Sequence, residues 1–82
     1  MTVYVELVPI KDEGYCVKVD TEKKVAYLLY GSCVAVSVDL SKQVYEIRLP
    51  ENEYTVKTRE YEGQFSFDIF EQGELIASVS VE

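Results

Sequence analysis

Histidine is absent from this chain, and that absence removes more chemistry than any residue present supplies. Ser–His and Cys–His nucleophilic systems, histidine-held metals and the usual neutral-pH proton carrier are excluded together. Cysteine is scarce: Cys16 and Cys33 are the only two, and they do not stand at metal-ligand or redox spacing. The phosphate-cradling patterns GxxxxGK[ST] and GxGxxG do not occur, nor does an EF-hand loop. No apolar run is long enough to cross a bilayer; the longest uncharged stretch, Val25 to Val38, is broken at Gly31 and Ser32. The start, MTVYVELVPIKDEG, has neither the basic residues nor the small-residue cleavage site of a signal peptide, so a cytoplasmic location is expected. Positive charge also runs out, since no Lys or Arg follows Arg59.

What is present reads as one soluble β domain over residues 1–82. Its 82 residues are 48% hydrophobic and 28% charged, the balance of a globular chain with a thin core. The organising stretch is VAYLLYGSCVAVSVDL, from Val25 to Leu40, with Asp39 as its one charge. Two strands joined at Gly31-Ser32 fit it, with Gly supplying the positive φ of a type II′ turn. Pairing Tyr30 with Cys33 sets Leu29 opposite Val34 and Leu28 opposite Ala35. A helix over Thr21 to Tyr30 is the competitor, and the β-branched residues favour strands. Pairing Tyr15–Asp20 with the Val25 strand puts Cys16 beside Leu29. That pairing leaves both thiols free, and they are expected to be buried.

The other registers follow from matching faces. Val3, Val5 and Leu7 alternate with Tyr4, Glu6 and Val8, and a bulged Asp12-Glu13-Gly14 loop sets Leu7 against Val19 and Pro9 against Val17. After Ser41-Lys42-Gln43 a fifth strand covers Val44 to Leu49, and Pro50-Glu51-Asn52-Glu53 turns the chain into a sixth, Tyr54 to Glu60. A tight turn at Glu62-Gly63 pairs Tyr61 with Gln64, Lys57 with Asp68 and Val56 with Ile69. For the last hairpin, a Gln72-Gly73 turn would oppose Glu71 to Glu74, so a bulged Glu71-Gln72-Gly73 loop is expected instead. Rows Ile47–Val56–Ile69–Leu75 and Tyr45–Thr58–Phe67–Ala77 then cross strands five to eight. Tyr15, Tyr27 and Tyr30 are assigned to the core; Tyr4, Tyr54 and Tyr61 are assigned to exposed contacts. The fold class is all-β: a small antiparallel meander of about eight short strands forming a β-sandwich or barrel, with little or no helix.

Function is carried by charge placement. The net charge is −7, and the acids Glu60, Glu62, Asp68, Glu71, Glu74 and Glu82 follow Arg59 without a base among them. Such a surface does not bind nucleic acid, which needs clustered Lys and Arg. It suits a protein partner with a basic surface, including one that normally holds nucleic acid. The expected partner-binding residues are Glu60, Glu62, Asp68, Phe70, Glu71 and Glu74, with Phe70 as apolar anchor. Glu60, Glu62, Glu71 and Glu74 stand in or beside turns and are expected to be exposed. No catalytic residue, cofactor or metal site is expected; Asp12-Glu13 and Glu51/Glu53 read as acidic turns rather than a calcium site. The leading function is a non-catalytic inhibitor or adaptor, a profile shared by phage-encoded inhibitors of host defence such as anti-CRISPR proteins. The alternatives are a structural subunit that forms a homodimer through the central hairpin, and a small-molecule or carbohydrate binder using tyrosines at a barrel mouth.

Overall fold

Residues 2–8 and 14–82 are described in the computed structural model. Their strands are β1 (Val3–Leu7), β2 (Tyr15–Asp20), β3 (Val25–Tyr30), β4 (Cys33–Asp39), β5 (Val44–Ile47), β6 (Tyr54–Tyr61), β7 (Gln64–Glu71) and β8 (Glu74–Val81). A single 3-10 turn, Pro50–Asn52, is the only helical element among the described residues. The strands form two four-stranded antiparallel sheets, β1-β8-β7-β6 and β2-β3-β4-β5. One core lies between them. Leu28, Val36 and Val38 fill it from one sheet, and Phe67, Ile69, Ile76 and Val79 from the other. The all-β class is as the sequence indicates, and of its two forms the structure adopts the sandwich.

The sheets divide one strand later in the chain than the pattern suggests. β1 lies beside β8, with Leu7 opposite Ala77 and Val5 opposite Val79, so the expected Leu7–Val19 pair does not form. Alternation fixes which face of β1 is apolar, and β8 satisfies that face as well as β2 does. The predicted Pro9–Val17 pair and the Asp12-Glu13 loop lie outside the described residues. β5 likewise stays with β4, pairing Ile47 with Val36 and Tyr45 with Val38. The connection explains this. The Asp39 carboxylate accepts bonds from the Ser41 and Lys42 N–H groups at 3.0 and 2.9 Å and from the Ser41 hydroxyl at 2.8 Å. That closes a compact hairpin loop. The Pro50–Asn52 turn then carries the chain across to β6, with Glu53 left-handed at φ 59°. The rows expected across strands five to eight therefore do not exist: Tyr45 and Leu75 are exposed, as is Thr58.

Two β-bulges account for the remaining differences. The Gly31-Ser32 turn, the Tyr30–Cys33 and Leu29–Val34 pairs, and the β2–β3 register are as expected. Beyond Leu29, however, Ala35 is an extra residue, and Leu28 faces Val36 instead. The Ala35 carbonyl is freed to accept the Arg48 and Leu49 N–H groups at 2.8 and 3.3 Å. Val36 and Val38 consequently join Leu28 in the core.

In the β7–β8 hairpin the turn is the tight Gln72-Gly73 form, both residues at positive φ (49° and 84°), and Glu71 does oppose Glu74. The expected bulged loop Glu71-Gln72-Gly73 therefore does not form, and the irregularity lies further along β8. Ile76 is the extra residue, which brings Ala77 opposite Ile69 and Val79 opposite Phe67. The like-charge pair is tolerated at the exposed end because the bulge still turns the apolar residues inward. The β6–β7 hairpin agrees with expectation at Tyr61–Gln64, Lys57–Asp68 and Val56–Ile69.

Candidate functional site

The six expected binding residues do not form one patch. β6 and β7 run in opposite directions, so Glu60 and Glu62 stand exposed at one end of their sheet. Glu71 and Glu74 stand at the other end. Asp68 and Phe70 lie between, on the outer face. Asp68 is occupied by its own sheet: Arg59 Nε and Nη2 donate to it at 2.6 and 3.1 Å, and the Ser78 hydroxyl at 2.9 Å. The Arg59 guanidinium holds the Asp68 carboxyl below the ordinary range, against the opposing effect of partial burial. Phe70 is half-buried opposite Thr55 and Leu75, with Lys57 Nζ 5.2 Å from its ring centroid.

Glu71 also differs from expectation. Its Oε2 accepts the Tyr15 hydroxyl at 2.7 Å, so it is half-buried and engaged rather than free. A carboxylate only accepts, so Tyr15 is the donor, and its oxygen must receive the Tyr54 hydroxyl at 2.8 Å. Asn52 Nδ2 in turn donates to Tyr54 at 3.1 Å. Burial, followed by these hydrogen bonds, pushes the Tyr15 hydroxyl well above the ordinary phenol range. The Tyr15 ring also packs on Tyr30, centroids 4.8 Å apart. Tyr54 is thus a core residue, not an exposed contact, whereas Tyr30 is 47% exposed. Tyr4 and Tyr61 are exposed as expected.

This network gathers three turns at one end of the sandwich. Tyr15 and Tyr30 bring the Gly31-Ser32 turn to it, and Gly31 N–H bonds the Gly14 carbonyl at 2.8 Å. Gln72 N–H bonds the Glu53 carbonyl at 3.0 Å, tying the last hairpin to the Pro50–Asn52 turn. Glu51, Glu53, Glu71 and Glu74 therefore converge there. Among the described residues most bases lie elsewhere, and those nearest this end are engaged within the chain. Lys23, Lys24 and Lys42 occupy the loops at the opposite ends of β2–β5, and Lys18 is central on β2. Arg48 meets Glu46 at 2.8 Å, and Lys57 and Arg59 are held as described. Glu51 and Glu53 were not among the expected residues, although a signal for them existed. Extending the Lys57–Asp68 register by three residues puts Tyr54 opposite Glu71, and with it the turn that precedes Tyr54.

The concave features are shallow and open. One of about 420 Å³ lies over Val25, Tyr27, Ser37, Val44 and Glu46. Another, of about 390 Å³, lies over Tyr4, Glu6, Arg59, Ser78 and Ser80. Among the described residues no group of Cys, Asp and Glu is placed to hold a metal ion. Cys16 and Cys33 are free thiols, and both are exposed rather than buried. Cys16 shares the outer face with Leu29, and Cys33 flanks the turn. Among the described residues no helix is long and apolar enough to cross a membrane. No protein-family model, curated protein or solved structure matches the chain.

Proposed function

We propose that this domain is a non-catalytic binding module whose acidic end occupies a basic surface of a partner protein, as an inhibitor or adaptor in the cytoplasm. The observation that carries the reading is the convergence of Glu51, Glu53, Glu71 and Glu74 at one end of the sandwich, where the neighbouring described bases Arg48 and Lys57 are engaged by Glu46 and the Phe70 ring. Leu75, 38% exposed, and Tyr30, 47% exposed, give that end apolar contact area beside the charge. Phe70 lies next to Leu75 and supports it from the sheet face. Glu71 has a second role, fixing the shape of the end through Tyr15. Glu60 and Glu62 at the far end, and Asp68 under Arg59, are outside it. Carboxylates spaced along such a rim compete with phosphates for the same Lys and Arg, so a nucleic-acid-binding protein is the class of partner proposed.

The experiment is affinity capture from lysate at low and high salt, followed by association kinetics of the captured protein. Glu51→Lys combined with Glu74→Lys should slow association and flatten its salt dependence while leaving the melting temperature near wild type. Competing polyanion should also displace the domain. An unchanged rate and salt dependence in the double variant would reduce the acidic end to a solubility feature.

A further inference from the structure

The outer face of the β2–β5 sheet holds the apolar residues that the core does not use. Val25, Tyr27, Leu29 and Val34 lie half-buried on it, and Val44 is 53% exposed at its edge. The registers Lys18–Tyr27, Tyr27–Ser37 and Ser37–Glu46 align four side chains in one row across the four strands. That row has a cation at one flank and a carboxylate at the other. At its centre a large side chain stands beside a small one, and the open depression next to Tyr27 contains Ser37.

We propose that this face is a self-complementary contact with a second copy of the chain, about a twofold axis running along the strands between β3 and β4. Rotation about that axis lays β3 on the partner's β4 and β2 on the partner's β5. Tyr27 then enters the depression over Ser37 of the second copy, and Leu29 meets its Val34. Lys18 faces Glu46 of the second copy at one flank, and the symmetric pair forms at the other. An axis along the strands also carries the twist of one sheet into the same twist in the other, so the two saddle-shaped faces stay parallel. Asp20 and Asp39 do not oppose the contact. Asp20 is turned onto the Glu22 and Lys23 N–H groups of its own loop, and Asp39 onto those of Ser41 and Lys42. Glu46 also meets Arg48 at 2.8 Å within its own chain, with both side chains largely exposed.

Four strands about 4.8 Å apart and six residues long give a footprint of roughly 400 Å² per copy. That is about half of what a standard stable interface covers on each side, so the association is weak and reversible. The contact is independent of the acidic end, and the symmetry points both acidic ends the same way.

The test is sedimentation velocity with light scattering from low micromolar to millimolar protein. Wild type should show a reversible monomer–dimer equilibrium. Lys18→Glu and Glu46→Lys, each checked for an unchanged thermal melt, should each weaken it by about tenfold or more, since both flanking pairs become like-charged. An equimolar mixture of the two variants restores opposite charges at both flanks and should recover the dimer. The proposal is overturned by a monomeric wild type at millimolar concentration, by single variants that dimerise as wild type does, or by a mixture of folded variants that stays monomeric.

Discussion

Replacing Tyr15 by Phe removes one oxygen from the place where the two sheets are tied by side-chain hydrogen bonds. Tyr15 is only 9% exposed, and its hydroxyl donates to Glu71 at 2.7 Å while accepting from Tyr54 at 2.8 Å. A hydrogen bond to a charged acceptor contributes about 1.5–3 kcal/mol, and the neutral one about 1 kcal/mol. Tyr54 is the cross-strand partner of Glu71, so its hydroxyl can re-aim at the carboxylate and recover part of the loss. The net cost is about 2 kcal/mol. For a domain of this size that lowers the melting temperature by roughly 8–16 °C, with little change in the denaturant slope.

The assay is urea unfolding of wild type, Tyr15→Phe, Tyr54→Phe and the double variant. The double variant should lose less than the sum of the singles, because they share one network. A pH series adds an independent reading. Because the folded-state pKa of Tyr15 is raised, its contribution is intact below the unfolded phenol value of about 10 and is lost as pH rises beyond it. Tyr15→Phe should flatten that alkaline decline. A loss below about 0.5 kcal/mol with an unchanged alkaline slope would refute the reasoning, because it would mean that water replaces the network at no cost.

Gly73 has φ 84°, and a Cβ added to it would meet no atom within 4 Å, so Gly73→Val should cost about 1–2 kcal/mol of backbone strain alone. Gly73→Asn should cost much less, as thermal melts of the pair would show. Asp68→Asn should destabilise by about 1 kcal/mol near neutral pH. Since the native Asp68 carboxyl titrates below its ordinary value, that difference should shrink as pH falls below the ordinary carboxylate range of about 4, which acid titration of both proteins would reveal. Phe67 is fully buried, and Phe67→Ala should cost about 3–5 kcal/mol, most of the stability of a domain this small. Loss of the cooperative transition, or a large fall in its midpoint, is the expected outcome of a thermal melt.

The parts of the fold that the sequence revealed are those decided within a hairpin. Tyr30–Cys33, Cys16–Leu29 and Lys57–Asp68 follow from a turn and the side chains on either side of it, and all are present. Sheet membership was not legible, because the apolar faces of β1 and β5 fit more than one neighbour. The bulges at Ala35 and Ile76 were hidden for a related reason. Each adds one residue to a run that is apolar on both sides, so nothing in the pattern marks where alternation slips. The same ambiguity governed the candidate site. Charge counted along the chain after Arg59 joined Glu60 to Glu74, whereas the sheet separates them and joins Glu74 to Glu51 and Glu53 instead.

The pairing of β1 with β8 has a kinetic consequence. β2 to β5, and β6 to β8, are each stacks of successive hairpins whose partners are close in sequence. β1 alone must find a strand at the other end of the chain, with Val3 meeting Val81. Closing so long a loop costs entropy before any contact repays it. The two hairpin stacks should therefore assemble first, with β1 docking onto the β8 edge after the rate-limiting barrier. Truncating Leu7, which packs from that strand against the core, should accelerate unfolding and leave the refolding rate nearly unchanged. Truncating Val56 or Ile69, within the β6–β7 hairpin, should slow refolding.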